Sequence, residues 1–221
     1  MPAPVNHLEE RLQDSSELLT DILPAAITLA MMLRHRSMAT WLRTELDGYT
    51  DDAALPACRQ NIPGHIVAKS PQYGWIPAPV NDKQTQEYAR VSVTEGIRDI
   101  EAFCLSCKKG SGKQVALAPE PMKELQKHIN LTAQLAITVN RETYSGVVRI
   151  TRGALYFWAT SLIELGMGGE RNSFKDADKS LAATLDTPER FLEMAVENAS
   201  QLPVPGVRES GFFERMFSRA G

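Results

Sequence analysis

The sequence predicts an α+β fold, a helical hairpin and a long terminal helix packed on a small sheet, and three observations carry that expectation. Residues 14–47 repeat apolar side chains at three- and four-residue steps, Arg141 to Leu165 do the same over a longer run, and short β-favouring pieces with prolines and glycines lie between. The alternative is a mainly α protein with irregular loops. With 221 residues, 43% of them hydrophobic, the chain is long enough to bury a sizeable core. A net charge of −3 supplies no overall attraction to nucleic acid, although a local basic patch is compatible with it. The opening MPAPVNHLEERLQD is polar where a secretory signal needs an apolar stretch, and Ile22 to Leu33 is too short to span a bilayer, so a cytoplasmic protein without a membrane anchor is expected. Three unevenly spaced cysteines fit reduced thiols better than a disulfide framework.

Taken in order, Leu18, Ile22, Ala26, Leu29 and Leu33 form one helical face with Asp14 or Ser15 as cap. Pro24 either bends that helix or stands in its first turn. Ser37 is the expected cap of a second helix bearing Met38, Trp41, Leu42 and Leu46. Gly48 stops it as a left-handed residue, and Tyr49 can fold back over the last turn. From Pro56 to Val93, short strands are expected at Ile66–Ala68 and Tyr88–Val93, with Tyr73 and Trp75 packing on the helices. A helix over Val93–Lys109, capped by Thr94, aligns Ile97, Ile100, Cys104 and Cys107, with Gly110 at its end. QVALAP reads as a strand, PEPMKELQKHIN as a helix with Pro121 in its first turn, and LTAQLAITV as a second strand. In the long helix Gly153 weakens the middle. GMGGERNSFKDAD reads as a flexible break, and Thr187, Pro188 and Glu189 open a helix through Ala199. Pro203 to Gly206 reads as a linker to a short amphipathic tail.

Several motifs suggest chemistry. Asp47, Asp51 and Asp52 could hold a hard cation, but no further ligands follow at fixed spacing, and a solvated acidic turn is favoured. Cys104 and Cys107 have redox or zinc spacing, yet they stand near a helix C-terminus on an apolar stripe, where cysteine acts as a small hydrophobe. Gly110-Ser-Gly112-Lys113 lacks the first glycine and the final Ser or Thr of a phosphate loop. His7, His35, His65 and His128 have no metal-ligand spacing. The residues therefore assign no catalytic, cofactor-binding or metal site. In the tail, Phe213, Met216 and Phe217 share one face if helical, and with Phe212 they either fold back to seal the protein's own core or form a partner-docking segment.

The stretch WLRTELDGYTDDAALPACR resembles the helix-end motif of the AbiTii family, carried here by Trp41, Leu46, Gly48, Tyr49, Leu55, Pro56 and Arg59; Cys58 stands where the family usually has tyrosine. LLTDILPAAITLAMMLRHR looks like the family's first helix pair, and residues 132–165 are similar to its strand and long terminal helix. The resemblance implies an AbiTii-like domain over residues 1–167, followed by a helical extension at 168–201 and the linker and tail at 202–221. It also implies a role in bacterial abortive-infection defence against phage, without catalytic residues to carry over. The expected function is a non-catalytic binding, adaptor or sensor module whose partner is another defence protein or a phage component, with a homo-oligomer as a further possibility. The alternative is a metal-dependent nuclease or hydrolase effector using Asp47, Asp51 and Asp52.

Overall fold

A computed structural model describes residues 4–50, 55–108, 111–167 and 173–208. In chain order the helices are α1 (Pro4–Gln13), α2 (Leu19–Met32), α3 (Arg36–Asp47), α4 (Asp82–Tyr88), α5 (Ile97–Ser106), α6 (Pro119–His128), α7 (Arg141–Glu164), α8 (Asp176–Ala182) and α9 (Pro188–Glu197). The strands are β1 (Ile62–Pro63), β2 (His65–Ser70), β3 (Gly74–Pro77), β4 (Arg90–Val91), β5 (Gly112–Ala116) and β6 (Leu135–Asn140). The fold is α+β, as the apolar spacing predicts. The chain divides into a helical unit, drawn from residues 1–58, 94–106 and 145–221, and a sheet unit, drawn from residues 59–93 and 107–144.

In the helical unit, α2 lies against α1 and α3, and α5 lies against both α2 and α3. Leu19, Ile22, Leu23, Ala26, Leu29 and Ala30 give α2 its buried face. Pro24 stands inside this helix, which begins at Leu19 and runs on through it, so the reading that places the proline in the first turn does not hold. Without an N–H, Pro24 leaves the Thr20 carbonyl without its helical partner. Neither Asp14 nor Ser15 caps α2. Asp14 instead accepts from the amide and hydroxyl of Ser16, at 2.8 and 2.7 Å. The amides of Leu19 and Thr20 donate to the buried Glu101 carboxylate of α5, at 2.8 and 2.9 Å, and the Thr20 hydroxyl adds a third bond at 2.7 Å. A carboxylate at a helix N-terminus satisfies open donors and complements the dipole. Ser37 is not the cap of α3 either; His35 holds that position, and the amides of Ser37 and Met38 donate to Asp186 at 3.1 and 2.8 Å.

Gly48 ends α3, but not in the left-handed helical conformation expected. Its φ of 104° and ψ of 169° lie in an extended region open essentially to glycine alone. The reason is a close approach of backbones. Gly48 bridges Glu95, the Tyr49 amide donates to the Thr94 carbonyl at 2.8 Å, and a Cβ on Gly96 would stand 2.5 Å from the Leu46 carbonyl oxygen. Thr94 thus receives the chain leaving α3 and does not cap α5, which begins only at Ile97.

The helix α7 begins in the sheet unit and continues from Ser145 in the helical one. Its Ala154, Leu155, Trp158, Ala159 and Leu162 are wholly buried, and each large side chain so removed from water is worth about 1.5–3 kcal/mol. Arg152 is buried as well, and its guanidinium donates to the carbonyls of Leu12, Asp14 and Glu17 at 3.3, 3.2 and 2.6 Å, holding the connection from α1 to α2. Gly153 has a packing role: a Cβ there would lie 2.7 Å from a methyl of Leu202. The stretch after α9 is accordingly no free linker. Leu202, Val204 and Val207 are buried, Arg149 donates to the Leu202 carbonyl at 3.1 Å, and the Val207 amide donates to the Ser145 hydroxyl at 2.9 Å. Of the stretch expected as a flexible break, Phe174 is buried and Asp176 opens α8, while residues 168–172 lie outside the described residues.

In the sheet unit, four antiparallel strands run in the order β3-β2-β6-β5, and β1 pairs with β4 separately. Ile137 stands between Ile66 and Val115 across the strands, and Ala68 between Leu135 and Ile76. Tyr88 and Ala89 do not belong to a strand. Asn81 and Gln84 form a reciprocal capping box, each bond 2.9 Å, which starts α4 and carries it to Tyr88. Tyr73 is 76% exposed and Trp75 half-buried, so Tyr73 does not pack as expected. Among the described residues no helix is long and apolar enough to cross a membrane.

Candidate functional site: a groove beside the helix-end motif

The helical unit carries a groove of about 1080 Å³ bounded by α3, α9 and the segment Leu55–Cys58. Its geometry follows from two amphipathic helices. On α9, Phe191, Leu192 and Ala195 turn inward, which leaves Glu189, Glu193 and Glu197, four residues apart, in a line along the groove. Val196, 47% exposed, stands beside them as an uncovered apolar group. From α3, Arg36, Thr40, Trp41 and Thr44 face the same space.

Behind the wall lies Glu45, fully buried. Its carboxylate accepts from the Trp41 indole N–H at 3.2 Å, from the Thr151 hydroxyl at 3.3 Å and from the Tyr49 hydroxyl. One buried anion thereby orients two aromatic side chains of the groove, because a buried carboxylate left without donors is costly. Tyr49 does fold back over the last turn, and Glu45 is what it reaches. Sequence reasoning passed over Glu45, although an acid four residues after Trp41 and four before Tyr49 was a visible sign. Of the residues that carry the helix-end motif, Trp41, Tyr49, Leu55 and Pro56 meet at this groove, joined by Cys58.

The other residues singled out by sequence do not converge. Asp47 is exposed and paired with Arg98 at 3.4 Å, while Asp51 and Asp52 lie outside the described residues. Among the described residues no three His, Cys, Asp or Glu are placed to hold a metal ion. Cys58, Cys104 and Cys107 form no disulfide. Cys104 is a core residue; Cys107 lies beyond the end of α5 and is only half-buried, which corrects its assignment to the apolar stripe. Burial pushes the Cys107 thiol above its ordinary pKa, against the pull of Arg141, opposite to what a reactive thiolate requires. Gly112 and Lys113 belong to β5, so no helix follows the glycines as a phosphate loop would need. His7, His65 and His128 are exposed and dispersed, whereas His35 is buried and its Nδ1 accepts the Trp158 indole N–H at 3.3 Å. Phe212, Phe213, Met216 and Phe217 lie outside the described residues.

A search of curated proteins and a search of solved structures found no match. The AbiTii family model matches residues 5–187, a span that takes in the whole helix-end motif, the sheet unit and α7, and runs beyond residue 167 into α8. The chain belongs to the AbiTii family, and with it to abortive-infection defence against phage.

Proposed function

We propose that the chain is a non-catalytic docking module of bacterial phage defence, acting in the cytoplasm, and that its groove receives a helix of a partner protein. The partner is another defence protein or a phage component. The observation that carries this reading is the meeting of Trp41, Tyr49, Leu55 and Pro56, dispersed along the helix-end motif, on one open apolar surface. Had the motif served only to stop a helix, Leu55 and Pro56 would have no reason to share a wall with Trp41. The acids of α9 specify the occupant's chemistry. Glu189, Glu193 and Glu197 at four-residue steps complement Lys or Arg repeated at the same step, and the half-exposed Val196 beside them fits an apolar side chain on the adjoining face. The matching ligand is an amphipathic helix with one apolar stripe and one basic edge.

Two substitutions at the groove rim test it. Val196→Arg and Glu193→Lys alter a half-exposed apolar group and a groove-edge charge, so folding should be intact by circular dichroism and melting temperature. Loss of phage protection and of partner capture with an unchanged melting temperature supports docking. Full protection by the double variant overturns it. If plasmid or RNA is cleaved with divalent ions by the purified protein, and Asp47→Ala abolishes the cleavage, the effector reading takes its place.

A further inference from the structure

The net charge of −3 conceals two opposite charges. Residues 59–93 and 107–144, the sheet unit, contain ten Lys and Arg against five Asp and Glu; the rest of the chain contains fourteen against twenty-two. Within the sheet unit the separation goes further. Every acid sits on a helix: Asp82 and Glu87 on α4, Glu120 and Glu124 on α6, Glu142 at the start of α7. The four-stranded sheet holds no Asp or Glu in its strands, and its charged or titratable side chains are His65, Lys69 and Lys113, all exposed.

The two faces of the sheet differ. One carries Ile66, Ala68, Leu135, Ile137 and Val139, all buried, with Ile76 and Lys113 exposed on its edge strands. On the other, directly opposed residues form rows, since cross-strand partners share a face. Lys69 opposes Trp75; Val67 lies between Pro77 and Ala136, with Ala116 beyond; His65, Thr138 and Gln114 form the next row. His65, Lys69, Pro77, Gln114 and Ala116 are exposed there, Trp75 is half-buried, and Tyr73 in the turn between β2 and β3 is 76% exposed. At the centre Val67 and Ala136 are buried and the Thr138 hydroxyl oxygen is shielded from solvent, so the accessible part of this face is its rim, His65 and Lys69 on β2 with Trp75 and Pro77 on β3.

We infer that this face of the sheet binds single-stranded nucleic acid, with Trp75 stacking on a base and Lys69 opposite it neutralising the adjoining phosphate. A half-buried aromatic ring directly opposite an exposed cation at a sheet edge suits unpaired bases, which offer a π-face and an accessible backbone. A duplex hides its base faces and is read by an element that enters a groove, which a level sheet does not provide. This inference is independent of the groove in the helical unit.

Fluorescence anisotropy of labelled uridine and thymidine oligonucleotides with the full chain, at low and high salt, tests it, together with the protein's own tryptophan emission. The expected result is salt-dependent binding with quenching of Trp75, the most exposed of the three tryptophans because Trp41 and Trp158 are buried. Trp75→Ala should weaken binding roughly tenfold, and Lys69→Ala should weaken it and lower the salt slope by about one. Trp75→Phe should retain binding and lose the quench, which guards against a Trp75→Ala protein that fails to fold. A preference for uridine over thymidine oligonucleotides, or the reverse, identifies RNA or DNA as the strand bound. Absence of binding at low salt overturns the inference. So does affinity untouched by Trp75→Ala and Lys69→Ala with no change in tryptophan emission on binding by the native chain, or equal affinity for a duplex or for vesicles of anionic lipid.

Discussion

In the helical unit the first turns of α2 and α3 are closed by carboxylates 82 and 148 residues away along the chain, whereas in the sheet unit α4 is closed by its own Asn81 and Gln84. A remote cap makes a helix start conditional on the fold, because the carboxylate arrives only when α5 or the α8–α9 connection has docked. A local cap does its work whether or not anything else has packed. The same contrast holds in apolar contacts: α2 buries six side chains and α4 none. One unit is therefore held by long-range agreement among helices, and in the other a helix is set by adjacent residues and stays peripheral.

The largest effect should come from cutting the chain after Gln201. That removes Leu202, Val204 and Val207 from the helical unit, with an expected loss of about 5 kcal/mol for three buried aliphatic side chains. Denaturant unfolding measures it. Cutting after Arg208 retains all three and removes only the segment holding Phe212, Phe213, Met216 and Phe217. If those four dock onto a partner, this shorter truncation keeps its melting temperature and loses phage protection. A large fall in melting temperature would assign them to the protein's own core instead.

Next in size are the remote caps. Glu101→Ala leaves the amides of Leu19 and Thr20 without an acceptor at a buried site, and a loss of about 3 kcal/mol is expected. Asp186→Ala, whose acceptor site at α3 is partly open to solvent, should cost about 1.5 kcal/mol. Equal and small losses in both would show that water replaces the carboxylates readily, and the distinction between remote and local capping would lose its force.

A smaller, pH-dependent effect belongs to His35. Its Nδ1 accepts the Trp158 indole N–H, so the imidazole is held neutral, and burial lowers its pKa below the ordinary value of about 6.5 although Asp186 and the Ala182 carbonyl act in the other direction. Protonation would set an N–H donor against another N–H. A base with a depressed pKa binds fewer protons folded than unfolded, so its contribution is complete above about pH 6.5 and declines as pH falls from there toward the lowered value. Melting temperature against pH should show that decline in the native chain, and His35→Gln should flatten it. An identical pH profile in the variant would place the acid sensitivity elsewhere.

These contrasts also explain what was legible in the sequence. Periodic apolar spacing revealed α2, α3, α5 and α7, because each repeats apolar groups at helical steps, whereas α9 was marked by its opening residues Thr187, Pro188 and Glu189. The strands β5 and β6 showed as short apolar or β-branched runs. Helices α4 and α8 escaped because α4 buries nothing and α8 only Ala182, leaving no period to detect, with Asn81 and Gln84 the one local sign of α4; α1 escaped although Val5, Leu8 and Leu12 are spaced along one buried face, because charged and polar residues dominate that stretch. The starts of α2 and α3 were misplaced because Glu101 and Asp186 are distant in sequence. The groove was half visible. Trp41, Tyr49, Leu55 and Pro56 stood out as a motif, but nothing in their spacing reveals that α9 supplies the opposite wall.

Asn81→Ala should give the smallest change and tests the other side of the comparison. It removes the acceptor of the Gln84 amide at an exposed helix start, with an expected cost of about 0.5–1 kcal/mol. Since α4 buries no side chain, that cost should be confined to α4. Hydrogen exchange should then quicken at the amides of Gln84 and Thr85, the latter bonded to the Asn81 carbonyl at 2.9 Å, while the global melting temperature shifts little. Asn81→Ser or Asn81→Asp, which keep an acceptor, should restore slow exchange. Should Asn81→Ala instead lower global stability as far as Glu101→Ala does, α4 is an integral part of the folded core and the two units do not differ in the way their helices are secured.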